Sequence, residues 1–69
     1  MTNEIDRRMD QLIAAAVRQG YQVCQDKSGK WSFRRDGVAI FFDETPTTAM
    51  ELLLMLNTLR GSGLVFPEE

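Results

Sequence analysis

The sequence predicts an α+β two-layer sandwich of αβββα order: a three-stranded antiparallel meander with both helices on one face. Three observations lead there. An apolar stripe at helical spacing lies near the N-terminus, three short alternating segments follow with turn residues between them, and a proline-headed apolar helix runs into a glycine-rich stop. The 69 residues are read as one domain, 1–69, with an apolar tail at 61–69.

Residues 3–19 form the first expected helix. Ile5, Met9, Leu12, Ile13, Ala16 and Val17 recur on one face. Thr2 or Asn3 can cap its start, Asp6 suits the positive end of the helix dipole, and Gly20 is placed to end it in a left-handed turn. Residues 21–26, 30–35 and 38–43 alternate and are rich in aromatic and branched side chains, which reads as strands.

Turn chemistry fixes the register. Asp36-Gly37 suits a two-residue type I′ hairpin, in which both positions need positive φ. Arg35 then pairs with Val38, Phe33 with Ile40 and Trp31 with Phe42. At the first turn, a two-residue loop at Ser28-Gly29 would turn Val23 away from Phe33. A three-residue loop, Lys27-Ser28-Gly29, pairs them and puts glycine at the left-handed position. The inner face becomes Tyr21, Val23, Trp31, Phe33, Val38, Ile40 and Phe42, and the outer face Gln22, Cys24, Ser32, Arg34, Ala39 and Phe41.

A second helix is expected to start at Thr45-Pro46, a capping residue followed by proline in the first turn. It runs to about Leu59 and stops at Gly61-Ser62-Gly63. Its composition is anomalous. Ala49, Leu52, Met55, Leu56 and Leu59 make one apolar stripe, while Met50, Leu53, Leu54 and Asn57 make another on a side that a two-layer domain leaves to solvent. The second stripe is expected to meet another surface, a second copy of the chain before either a different protein or the chain's own Leu64-Val65-Phe66 tail folding back.

The chemistry the composition excludes is broad. There is no histidine, so the usual base near neutral pH and the commonest transition-metal ligand are missing. One cysteine, Cys24, makes neither an internal disulfide nor a zinc site, and the glycines are isolated turn formers. The carboxylate pairs Asp6/Asp10, Asp43-Glu44 and Glu68-Glu69 read as solvated faces or caps. No catalytic residue, cofactor or metal is expected. The polar, acidic opening Thr2-Asn3-Glu4-Ile5-Asp6 is unlike a secretory signal, and the longest apolar run, 52–56, is far too short to span a bilayer. A cytoplasmic protein with no membrane contact is expected.

Net charge is −2, which disfavours nucleic acid as a partner. Residues 26–36 nevertheless carry Lys27, Lys30, Arg34 and Arg35 against two aspartates. These bases, with Phe41 on the same sheet, are candidates for contact with an acidic protein surface.

The helix–three strands–helix order resembles the double-stranded RNA-binding domain, whose second helix opens on a lysine cluster; here 45–51 holds no base. It also resembles the HicA-type toxins, small mRNA interferases. Leu12-Ile13 through Gly20-Tyr21 is similar to their first helix and the Gly-aromatic step after it, and Lys27-Ser28-Gly29-Lys30-Trp31-Ser32-Phe33 to their basic hairpin. Lys30 or Trp31 stands where that family has its catalytic histidine, so the resemblance implies an RNA-binding relative without ribonuclease activity. In style the domain is also similar to small phage and mobile-element accessory proteins, which implies binding to a host protein and modulating or inhibiting it. The leading expectation is a non-enzymatic protein–protein interaction module, homodimeric through Met50, Leu53, Leu54 and Asn57. A nucleic-acid binder using the basic hairpin is the alternative.

Overall fold

A computed structural model describes residues 4–66. The order is α1 (Glu4–Arg18), β1 (Gln22–Gln25), β2 (Trp31–Arg35), β3 (Val38–Phe42) and α2 (Ala49–Gly61). The strands form one antiparallel sheet in the order β1-β2-β3. The shortest dimension, 18 Å, is that of one sheet under one layer of helices. Thr2, Asn3 and the Glu68-Glu69 pair lie outside the described residues.

Both registers follow from the turns. Asp36 (φ 53°) and Gly37 (φ 81°) take the positive values of a type I′ hairpin, and Arg35 faces Val38. Gly29 (φ 94°) closes the three-residue loop that sets Val23 against Phe33. Asp26 holds that loop, its Oδ1 accepting from the Ser28 hydroxyl (2.6 Å) and from the backbone N–H groups of Ser28 (2.9 Å) and Lys30 (3.0 Å). These bonds, the Ser28 hydroxyl foremost, keep the Asp26 carboxyl below its ordinary pKa.

The core joins Met9, Leu12 and Ala16 of α1 to Tyr21, Phe33 of β2, Met55 and Leu59 of α2, and Leu64 of the tail. Phe33 is fully buried, with the ring of Phe42 edge-on at 5.7 Å and Trp31 tilted at 6.4 Å. Val38 lies on the expected inner face but is not buried there. It sits at the turn end of an edge strand, beside Tyr21, Arg35 and Ser62, and is 53% exposed.

α2 starts later than Thr45-Pro46 suggests. Thr48 is the N-cap, its Oγ1 accepting from the Glu51 N–H (3.2 Å), while Glu51 reaches back to the Thr47 N–H (3.1 Å) and hydroxyl (2.9 Å). Thr45 is spent elsewhere, as acceptor for the Trp31 indole N–H (2.8 Å) and the Gln25 amide (3.2 Å). Pro46 is buried beside this join instead of opening the helix.

The two helices end alike. Tyr21 N–H bonds the Ala16 carbonyl and Gly20 N–H that of Val17; Leu64 N–H bonds Leu59 and Gly63 N–H bonds Arg60. With Gly20 and Gly63 at positive φ, both are Schellman ends that turn an apolar side chain, Tyr21 or Leu64, back into the core. The tail is therefore a cap on the core. The Gln19 side chain holds it, donating to the Val65 carbonyl (2.7 Å) and accepting from the Val65 N–H (2.8 Å).

Candidate interaction surfaces

The four hairpin bases do not share a face. Arg34 lies exposed on the outer face opposite Gln22 and Ala39, Lys27 is exposed in the first loop, and Lys30 stands 3.9 Å from Asp43 on the adjoining strand end. Arg35 points to the inner face, where its guanidinium carbon lies 4.3 Å from the centre of the Tyr21 ring. Its Nη1 donates to the Gln19 carbonyl (3.3 Å) and its Nη2 to the Ser62 carbonyl (3.4 Å). Those carbonyls terminate α1 and α2, so one cation serves the negative ends of both helices. The Tyr21 and Ser62 hydroxyls, 2.9 Å apart, complete the junction. A side chain at Gly63 would meet Arg35 Nη2 at 2.5 Å, which together with φ 114° requires glycine there. Arg35 thus has a structural role that its place in a basic run concealed.

The aromatics of the basic hairpin are also committed. Phe33 has no exposed surface, and Trp31 is half-buried with its N–H bonded to Thr45. Cys24 is exposed on the outer sheet face. Among the described residues no group of three or more His, Cys, Asp or Glu side chains is arranged to hold a metal ion, and no helix is long and apolar enough to cross a membrane.

α2 divides as its two stripes suggest except at Ala49, which is exposed in the first turn. Met55 and Leu59 are buried, with Leu52 and Leu56 packed against the core. On the other side Met50 is 65% exposed, Leu53 47% and Leu54 60%, and Asn57 is exposed beside them. Phe41, 54% exposed, extends this apolar surface onto the sheet: Phe41 and Leu54 line one open groove of about 550 Å³ between β3 and α2. Asp43, Glu44 and Glu51 form part of its wall. Thr47 hydrogen bonds, the side-chain bond foremost, lower the pKa of the Glu51 carboxyl and favour its charged form.

Sequence reasoning singled out each of these apolar residues but missed the free edge of β3 as their neighbour. The signal was present, since a meander leaves its last strand at an edge and 38–42 carries no charge. No protein-family model, curated protein or solved structure matches the chain.

Proposed function

We propose that the chain is a protein–protein interaction module with no catalytic role of its own, and that it self-associates through the outer face of α2. The observation that carries this reading is the exposure of Met50, Leu53 and Leu54 side by side on a helix whose other face already fills the core. Contiguous exposed apolar surface of this kind marks interaction sites. The outer face of the sheet, with Cys24 and Arg34 exposed, is left for a different protein. That arrangement fits an accessory role in which a small dimer binds and modulates a larger host protein.

The test is Leu53→Glu with Leu54→Glu. Both positions face away from the core, so the double variant is expected to keep its far-ultraviolet circular dichroism while its solution mass falls to that of one chain and its thermal midpoint becomes independent of protein concentration. An unchanged mass would remove the α2 interface.

A further inference from the structure

The proposal concerns the edge of β3 and rests on self-association through α2. In a two-residue hairpin the residues flanking the turn, Arg35 and Val38, form the closing hydrogen-bonded pair, and bonding alternates from there. The N–H and C=O groups of Val38, Ile40 and Phe42 therefore face β2, and those of Ala39 and Phe41 face away from the sheet. An edge strand is normally guarded by charge, proline or brevity. β1 fits that rule, being four residues long with Gln22, Cys24 and Gln25 exposed. β3 does not: Val38-Ala39-Ile40-Phe41-Phe42 has no charge and no proline, and is as long as the central strand.

We propose that β3 pairs antiparallel with β3 of a second copy about a two-fold axis at Ile40, joining the two sheets into one. This register sets Ala39 opposite Phe41 of the second copy and Phe41 opposite its Ala39. Shifting the axis to Ala39 or to Phe41 would draw in Gly37 of the turn or Asp43 beyond the strand. With the axis at Ile40, every outward bonding group used belongs to the strand.

The side chains suit the same register. Ala39 against Phe41 is small against large on the outer face; on the inner face Ile40 meets itself and the exposed Val38 meets Phe42. Asp36 and Glu44 fall beyond the paired stretch, and Asp43 lies opposite Gly37. A second copy is the occupant because the strand is complementary to itself and its edge is continuous with the exposed face of α2 through the groove shared by Phe41 and Leu54. Size agrees. Val38, Phe41, Met50, Leu53 and Leu54, each about half exposed, offer on the order of 100 Å² apiece. That is most of the roughly 800 Å² per partner in a standard interface, and the strand edge adds to it.

Two measurements test the pairing. Hydrogen exchange on the unmodified chain should show the Ala39 and Phe41 amides slowed by at least about tenfold at concentrations where the dimer is populated, with the protection lost on dilution. Ala39→Pro removes an N–H that faces away from β2, so the variant should keep the hairpin and become monomeric. If dimerisation is lost in Leu53→Glu with Leu54→Glu yet persists in Ala39→Pro, with both amides open in the dimer, the α2 reading stands and edge pairing falls. A chain monomeric at every concentration overturns both. If Ala39→Pro fails to fold, the exchange of the unmodified chain decides.

Discussion

The two halves of the sandwich solve the same packing problem and leave different surfaces behind. α1 packs beside β1 and against α2, and both α1 and β1 present mostly polar side chains to solvent: Glu4, Asp6, Arg7, Arg8, Asp10 and Arg18 are exposed on the helix, Gln22 and Gln25 on the strand. The exceptions include Cys24 and Val17, which is 55% exposed although the sequence stripe placed it in the core. α2 and β3 also contribute to the core, Met55 and Leu59 buried and Ile40 and Phe42 packed against it, yet expose Met50, Leu53, Leu54, Phe41 and Val38. Folding alone needs only the first pattern, because a helix in two layers requires one apolar side. The second pattern is what a surface built to be covered looks like. The helix ends make the same point by their sameness: both close in a Schellman turn on the same arginine, so the asymmetry is confined to the outward faces.

The largest expected effect breaks what the halves share. Arg35→Met keeps much of the aliphatic stem over Tyr21 but removes the bonds to the Gln19 and Ser62 carbonyls, and should cost about 2 kcal/mol of folding stability by chemical denaturation. Because the junction holds both helices, β1 and α2 probes should lose stability together. A loss below about 0.5 kcal/mol would mean that the halves are held by the apolar core alone.

A smaller effect sharpens the difference by touching only the α2 half. The Glu51 carboxyl, held below its ordinary 4.5 by the Thr47 hydroxyl and N–H, titrates lower when folded than when unfolded. Its contribution is therefore complete above about 4.5 and is lost as pH falls through the lowered folded value. Asp26 behaves alike below its ordinary 3.8. Thermal melts from neutral to acid pH should show the midpoint decline over this range, with Glu51→Gln flattening its upper part. An identical acid profile for that variant would assign the decline to other groups.

The architecture was legible in the sequence because local rules agreed. Asp36-Gly37 and Gly29 each admit few backbone conformations, so turn chemistry fixed both registers and the two sheet faces followed, with Val38 exposed on its inner face. The start of α2 was harder, since Thr45, Thr47 and Thr48 can all cap a helix and Pro46 favoured the first. Glu51, three residues after Thr48, was the better signal, and the Trp31 indole claims Thr45 from 14 residues away. Arg35 could not be assigned from its neighbours in the chain, because the carbonyls it bonds belong to helix ends that only the tertiary fold brings together. The same holds for Gln19 and Val65, 46 residues apart. The outer stripe of α2 was legible because periodicity separates it from the buried one.

The central claim, that the α2–β3 half is covered in solution by a second copy, is tested most directly by sedimentation equilibrium of the unmodified chain from about 1 μM to about 1 mM. The account predicts a reversible rise to twice the 7.9 kDa chain mass within that range. A mass that stays at one chain throughout would contradict it.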